Sequence, residues 1–261
     1  QTVVKTADLF RAVTLDSVSG TDVSGDSRDF VVVGGTGIAR INGPLEGDEV
    51  MLAGGIVQRV WRFTEEQAPT STGTIALSFD MPTGVETNDV MLMVLSHKGL
   101  DWAVAPAGWT LIGQDISGIT RGEMYWRRAE AGETGPYAVT GLATSAAGFI
   151  CAYANVTKTG SPINASTFRA NAAGVRGTDG VTTTADYCLI VCAAAQGDNL
   201  ASSGWTVANL HRPLIEIADV LTTLGTDQAA SGAHLLQKTA GATGATTWTS
   251  TAFENVGMCV A

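Results

Sequence analysis

The sequence is poor in positive charge and has no long hydrophobic run. Its 15 lysine and arginine residues are outnumbered by 25 acidic residues, and the resulting net charge of −10 repels a nucleic-acid backbone. The longest apolar runs, such as VMLMVL at 90–95, are far shorter than the roughly 20 residues that cross a bilayer as a helix. We therefore expect neither a nucleic acid nor a membrane among its partners.

Histidine is also scarce, which argues against a metal site. His97, His211 and His234 have no second ligand at a metal-binding spacing, and the sequence contains no C-x-x-C motif. We expect no metal and no cofactor. No signal-peptide pattern is recognisable, but the sequence opens on Gln1, so secretion stays open.

The four cysteines do not form a disulfide framework. Cys188 and Cys192 lie in one strand-like run, where their Cα atoms would be roughly 13 Å apart, beyond the roughly 7 Å limit for a bridge. Cys151 and Cys259 lie in separate predicted strands and can pair only if those strands are neighbours. We interpret all four as small buried apolar side chains.

The stretch FVVVGGTGIARING, at 30–43, has some features of a dinucleotide-binding loop. Gly35 and Gly37 match the first two glycines of G-x-G-x-x-G, but Arg40 occupies the third glycine position, and 38–49 has no helical periodicity. A tight β-turn in which one glycine has a positive φ explains the same glycine-rich sequence. We predict a turn here rather than a nucleotide site.

Most of the remaining pattern is typical of β-structure. Short segments rich in valine, isoleucine, threonine and aromatic residues alternate with turn residues, and several are hydrophobic on both faces. They are TIALSFDM (74–81), VMLMVL (90–95), MYWRR (124–128), YAVTGL (137–142), FICAYA (149–154), CLIVCA (188–193), TTWTST (246–251) and MCVA (258–261). This predicts an all-β protein, an antiparallel β-sandwich or jelly roll.

The sequence also indicates an internal duplication, with copies at about 74–158 and 180–261. In both copies a strand after an aspartate leads to a GWT turn, at Gly108 and at Gly204, and later to a strand that contains a cysteine. The second copy is about 13 residues longer in its middle. Each copy is expected to cover the apolar face of the other.

The extra residues of the second copy predict one short helix. In RPLIEIADVLTTLG the side chains Leu214, Ile217, Ala218, Leu221 and Leu224 would fall on one helical face. A proline suits its first turn, and a glycine suits its C-terminal cap.

The chain before the repeat is predicted to be a separate piece. Residues 65–73 are polar, contain a proline and read as a linker, which leaves 1–64 as a small β-rich attachment region. DFVVVGG, DEVMLAGG and IVQRVWRF are expected to form a three-stranded element after a short amphipathic segment, TADLFRAV. So small a unit is expected to dock on a partner or on another copy.

Within 74–261 the motifs APAGWTLI (105–112), YWRRAEAGE (125–133) and FICAYANV (149–156) resemble a β-sandwich module of bacteriophage virion proteins and of some bacterial surface proteins. In that group the turn reads PPAGWTL and the last strand ends in an A-Y-R-G-V-like pattern. Here Ala154 and Asn155 stand where the group has arginine and glycine. The segment INGPLEGDEVMLAGGIVQRV is also similar to the first β-segments of phage tail fibres and appendages.

No arrangement of residues indicates an enzyme. Ser96 and His97 would point to opposite faces of a strand, and no carboxylate pair is singled out by the sequence. Trp109 and Trp205 occupy equivalent places in the two copies, so we predict that both pack inside the protein. Trp102 has no counterpart and is the candidate surface contact, with core or interface packing as its alternative.

The resemblance implies a non-enzymatic structural protein on the exterior of a phage particle: a capsid decoration, a head fibre, or a tail fibre or appendage that mediates assembly or surface attachment. Its expected partners are other virion proteins and copies of itself, with which it is expected to form a homotrimer. The alternative is a carbohydrate-binding module or adhesin of a bacterial surface, for which a host glycan would be the ligand.

Overall fold

The fold is given by a computed structural model of the chain, which describes residues 30–33, 38–41, 49–52, 56–61, 75–99, 101–142, 145–154, 156–171, 175–210, 213–223, 225–252 and 254–261. These residues form twenty β-strands and, within the same ranges, no helix. All strand pairs are antiparallel. The predicted all-β, antiparallel class is confirmed.

The strands follow the chain in three groups. The first group is β1 (Phe30–Val33), β2 (Ile38–Ile41), β3 (Glu49–Leu52) and β4 (Ile56–Trp61). The second group is β5 (Ile75–Phe79), β6 (Val90–Lys98), β7 (Thr110–Ser117), β8 (Thr120–Arg128), β9 (Tyr137–Leu142) and β10 (Ser145–Tyr153). The third group is β11 (Ser166–Asn171), β12 (Gly177–Thr178), β13 (Thr182–Thr183), β14 (Cys188–Gln196), β15 (Ser203–Val207), β16 (Ile215–Thr222), β17 (Gln228–Gln237), β18 (Gly241–Ala242), β19 (Thr246–Thr249) and β20 (Asn255–Val260).

Two large sheets lie face to face at the centre. The first sheet has the order β3-β4-β10-β6-β8-β7, and the second has the order β11-β20-β14-β17-β16. The outer face of the first sheet is covered by the β5-β9 pair, and the outer face of the second is covered by the β12-β19-β15 sheet. The molecule is thus two sandwiches packed back to back.

Three apolar cores separate these four layers. The central core joins the two large sheets and includes Phe149 of β10 and Val256 of β20. A first outer core lies under β5 and β9, and a second lies under β15 and β19. Because each large sheet is buried on both faces, water is excluded from all of its central strands.

This layering explains the strands that are hydrophobic on both faces. In β6, Val90, Leu92 and Val94 point into the central core, while Met91 and Met93 alternate with them and point into the first outer core. All five side chains are buried, and each large apolar side chain stabilises the fold by about 1.5–3 kcal/mol. The inner faces of the two large sheets thus cover each other in the central core.

Small residues let the two large sheets approach closely. A Cβ on Gly122 of β8 would lie 2.9 Å from the Val256 side chain, and a Cβ on Gly232 of β17 would lie 2.6 Å from the ring of Phe149. Real Cβ atoms are essentially never found at such distances, so a larger residue at either position would require the facing side chain or its strand to shift.

A polar contact also ties the two sheets together. Ser96 of β6 accepts hydrogen bonds from the Gln196 amide (3.1 Å) and from the Gln228 side chain (2.5 Å). Both donors belong to the second sheet, and all three residues are buried. Since a buried hydroxyl is costly to leave unpaired, this contact favours one alignment of the sheets.

The two repeated tryptophans pack as predicted. Trp109 is 9% exposed and meets Tyr137 edge to face at 5.2 Å, while Trp205 is 2% exposed and stacks on Trp248 at 4.8 Å. In each half the tryptophan thus packs against an aromatic residue of the outer layer.

The predicted helix at 213–225 is wrong, because residues 215–222 form strand β16. The strand pairs along its length with β17, and the register shifts between Glu216 and Ala218. At this bulge Ile217 and Ala218 are both buried, so the two-residue alternation is interrupted. The interruption produces an apolar spacing that imitates a helix.

The two halves share one strand order. The first sheet contains β10-β6-β8-β7, and the second contains β20-β14-β17-β16. Most of the extra residues of the second half lie in β15 and in the chain before β16, because GWT belongs to a separate strand there, whereas Thr110 of the first GWT begins β7 itself. The equal order is compatible with an internal duplication, which stays a prediction.

The N-terminal strands form two hairpins. β1 pairs with β2, with Val33 opposite Ile38, so a strand rather than a helix follows the glycine-rich stretch. β3 pairs with β4, and β4 joins the first sheet through Trp61 and Val60 opposite Ala152 and Tyr153. The expected single three-stranded element is therefore wrong, since its strands belong to separate sheets. The amphipathic segment TADLFRAV and the linker 65–73 lie outside the described residues.

Candidate binding cleft

Trp102, the predicted surface contact, is only partly exposed. The Arg121 guanidinium lies over its ring, 4.5 Å from the ring centre, and the Arg121 Nε donates to the Gly99 carbonyl at 3.1 Å. This cation–π contact occupies one face of the indole. Trp102 therefore combines a packing contact with some exposed surface, and its role in binding stays a prediction.

A buried polar cluster of His97, Glu123 and Tyr125 contacts Ala103, the residue after Trp102. The Glu123 carboxylate accepts hydrogen bonds from the Ala103 amide (2.8 Å) and the Tyr125 hydroxyl and contacts His97 Nε2 at 2.7 Å. His97 and Glu123 are 0% exposed, and His97 Nδ1 is buried without a hydrogen-bond partner. Burial, the Glu123 hydrogen bond and its charge raise the pKa of Tyr125, which keeps the phenol protonated.

This cluster fastens a loop rather than forming an open reactive centre. Ala103 belongs to the chain between β6 and β7, and its amide and carbonyl are held by Glu123 and Tyr125 of β8. The cluster was missed in the sequence because His97 and Glu123 are 26 residues apart. Their presence in otherwise apolar strands is the signal that could have indicated it.

A pair of carboxyl groups lies on the edge strand β16. A hydrogen bond joins Glu216 to Asp219, and Asp219 Oδ1 also accepts from the Ser202 amide at 3.0 Å. Burial, followed by the hydrogen bond and charge of Asp219, raises the pKa of Glu216 to about 7. The pair can hold one shared proton near neutral pH.

We expect Glu216→Gln to remove a pH dependence of stability. The folded protein holds the Glu216 proton more tightly than the unfolded chain does, so the stabilisation from this group is present below the ordinary pKa of 4.5 and is lost as the pH rises to about 7. The variant should therefore gain Tm relative to the native chain across this range. Thermal melts of both proteins from pH 4 to 8 measure the difference, with Glu130→Gln as an exposed control. A Tm difference between variant and native chain that stays the same from pH 4 to 8 would contradict the expectation.

The candidate binding site is a cleft of about 350 Å³ at one end of the seam between the two large sheets. Its floor is formed by central-core side chains, including Val90, Leu92, Val191 and Val260. Its rim contains Ser161, Asn164, Asp186 and Tyr187. An apolar floor with a few polar groups at the mouth is the usual construction of a small-ligand site.

Tyr187 stands out at this rim. Its side chain is 37% exposed, and its backbone has a φ of 57°, which bulky residues rarely adopt. The Tyr187 amide donates to the Lys238 carbonyl at 3.2 Å, and the Ala240 amide donates to Asp186 Oδ1 at 2.7 Å. These contacts hold the tyrosine and the neighbouring carboxylate at the mouth, a conformation that costs free energy and often marks a functional position.

The chemistry of the cleft suits binding better than nucleophilic catalysis. Cys188 is its candidate nucleophile, but burial raises the pKa of this thiol, and the Sγ donates to the Ala185 carbonyl at 3.3 Å. A protonated thiol is a poor nucleophile. The cleft can bury an apolar group on its floor and hydrogen-bond a polar group at its rim.

Two further properties concern metals and membranes. Across the described ranges, no group of three or more histidine, cysteine, aspartate or glutamate side chains is arranged to hold a metal ion. In the same part of the chain, no helix has the length and apolar character needed to cross a bilayer.

Comparison with protein-family models, with curated proteins and with solved structures finds no significant match for this chain.

Proposed function

We propose that this protein is a non-enzymatic structural component on the exterior of a phage particle, such as a capsid decoration, head fibre or tail appendage. The observation that carries the proposal is the four-layer construction, in which two sandwiches share one continuous central core. This four-layer arrangement resists local unfolding, because every central strand is buried on both faces. The resemblance of the GWT and YWRR motifs to virion modules supports the same role.

The attachment surface of this component is assigned to residues 1–64. In this segment β4 pairs with β10, and β3 pairs with β4 and forms that edge of the first sheet. Strand addition uses backbone hydrogen bonds and accepts many side-chain sequences, which suits assembly with other virion proteins or with further copies. The net charge of −10 favours a hydrated exterior.

Purified particles provide the test of location. The chain should be found by mass spectrometry in gradient-purified particles, and antibody labelling in electron micrographs should place it on the outer surface. Its absence from purified particles, with the chain present in the unassembled fraction of the same lysate, would overturn the proposal.

The oligomeric state is tested separately. We expect mass photometry of the full chain to show a trimer of the 26.9 kDa subunit. A population made only of 26.9 kDa species at micromolar concentration would contradict the trimer.

A second candidate function is carbohydrate binding at a bacterial surface, and the cleft favours it. An exposed tyrosine can stack on the apolar face of a sugar ring, while Asp186 and Asn164 offer hydrogen bonds to its hydroxyls. The floor of Val90 and Leu92 would accept an apolar substituent of the sugar.

A glycan array of the native chain, Tyr187→Gly and Trp102→Ala tests this function. Glycine accepts the positive φ at 187, so we expect Tyr187→Gly to change stability by less than about 1 kcal/mol. Loss of binding in Tyr187→Gly alone assigns the ligand to the cleft, and loss in Trp102→Ala alone assigns it to the Trp102 surface. No binding by the native chain contradicts the carbohydrate function.

A further inference from the structure

Two thiols of the second sheet face each other across neighbouring strands. Cys192 of β14 is directly opposite Cys259 of β20, and both side chains point into the second outer core. Their Sγ atoms are 2.7 Å apart, and both residues are 0% exposed. No other contact of this kind is found among the described cysteines, because Cys151 lies in the other large sheet and Cys188 lies at the partly exposed start of β14.

The backbone at this pair has the spacing that a disulfide needs. Directly opposite residues of an antiparallel pair have Cα atoms about 4.5–5.5 Å apart, within the roughly 4.4–6.8 Å range of disulfides. The two sulfur atoms need to approach only from 2.7 Å to about 2.0 Å. The bond therefore requires a further approach of the two sulfur atoms of only about 0.7 Å.

We propose that Cys192 and Cys259 form a cross-strand disulfide when the chain folds in the presence of a disulfide oxidant. The pairing considered for Cys151 and Cys259 in the sequence is excluded, since these residues belong to different sheets and to different cores. The bridge would close a loop between residues 67 positions apart and would join the last strand of the chain to the centre of the second sheet.

The reaction is ordinary thiol–disulfide exchange. One cysteine thiolate attacks a low-molecular-weight disulfide such as oxidised glutathione, which forms a mixed disulfide and releases one glutathione thiolate. The second cysteine thiolate then attacks the protein sulfur of the mixed disulfide and releases the second glutathione. The cysteine pair loses two electrons and two protons, and the oxidant gains them as two thiols.

The timing of this reaction follows from burial. In the folded protein the pKa of Cys259 is raised by its hydrogen bond with Cys192 and by burial, so the reactive thiolate is scarce, and the oxidant has no access. The bond therefore forms while β14 and β20 assemble, before the β12-β19-β15 sheet covers them. Once formed, it is protected from reduction by the same burial.

The test uses the full chain with Cys188→Ser, which removes the partly exposed thiol that would form mixed disulfides. The protein is refolded either with oxidised and reduced glutathione or with dithiothreitol, and is then alkylated in denaturant. After oxidative refolding we expect an intact mass lower by two hydrogens before alkylation, two fewer alkylated thiols and a cross-linked peptide that joins Cys192 to Cys259. The Cys188→Ser/Cys259→Ala variant is the matched control and should retain every thiol.

A stability measurement supplements the mass measurement. The oxidised form should have a Tm about 5–15 °C above that of the dithiothreitol-treated form. If oxidative refolding is inefficient, the same variants are exported to an oxidising periplasm and compared with protein made in the cytosol. Full alkylation of all thiols after both oxidative routes, or a cross-link that uses Cys151, would overturn the proposal.

Discussion

Replacing Glu123 with alanine is expected to lower the free energy of unfolding by about 3–5 kcal/mol. The substitution leaves His97, the Tyr125 hydroxyl and the Ala103 amide buried without their common acceptor. Removing one member of a buried ionic or hydrogen-bonded cluster costs about this much, because the remaining groups keep their desolvation penalty. Urea unfolding followed by tryptophan fluorescence measures the loss through the shift of the midpoint at constant slope.

The controls for Glu123 separate the cluster from carboxylates in general. Glu130→Ala removes an exposed carboxylate from the chain after β8 and should change stability by less than about 0.5 kcal/mol. His97→Ala combined with Glu123→Ala should cost less than the sum of the single variants, since the two residues contact each other. A Glu123→Ala loss no larger than the Glu130→Ala loss would contradict the assigned role of the cluster.

Phe149→Ala is the second large expected effect, also about 3–5 kcal/mol. The Phe149 side chain is fully buried in the central core and reaches the backbone of Gly232 in the opposite sheet. Deleting the ring removes its burial and leaves a cavity that two rigid sheets cannot close. Chemical unfolding measured by circular dichroism gives the difference.

The effect also tests whether the two sandwiches unfold together. Because the ring belongs to β10 and its contact belongs to β17, Phe149→Ala should shift one common transition for both halves. Val104→Ala, at a side chain that is 60% exposed, is the matched surface control. Two separate transitions, of which only one moves in the variant, would show that the central core does not couple the halves.

Of the outer-layer strands, β5, β9 and β19 were predicted because their alternation survives folding, whereas β12 was not predicted and the GWT of β15 was predicted as a turn. In β9, Tyr137 and Val139 are buried while the residue between them is exposed, which is the pattern of a strand with one covered face. The central strands were predicted through their apolar runs on both faces, such as β6 and β14. Both signals depend on local composition, so they can be seen without the fold.

Strand β16 shows where local patterns fail. Its pairing with β17 imposes a bulge after Glu216, and the bulge changes the spacing of the apolar residues to one that a helix would share. Pairing with β17, rather than the local sequence of the segment, determines that these residues form a strand.

The cleft and the buried polar cluster could not be predicted from local sequence patterns either, because each brings together residues from distant segments of the chain. Tyr187 and Val90 meet at the cleft although they are distant in sequence, and His97 contacts Glu123 although they are 26 residues apart. The cysteine pair is the clearest case, because a single residue of register shift between β14 and β20 would place the two thiols out of contact.

The amino-acid pattern alone was sufficient for the all-β class, the antiparallel strands and the packing role of the repeated tryptophans, because each follows from which side chains avoid water along a short segment. The four-layer stacking, the strand identity of 215–222 and the meeting of Cys192 with Cys259 required the folded molecule. These features arise from contacts between distant segments, and such contacts depend on how sheets align and not on the composition of any one strand.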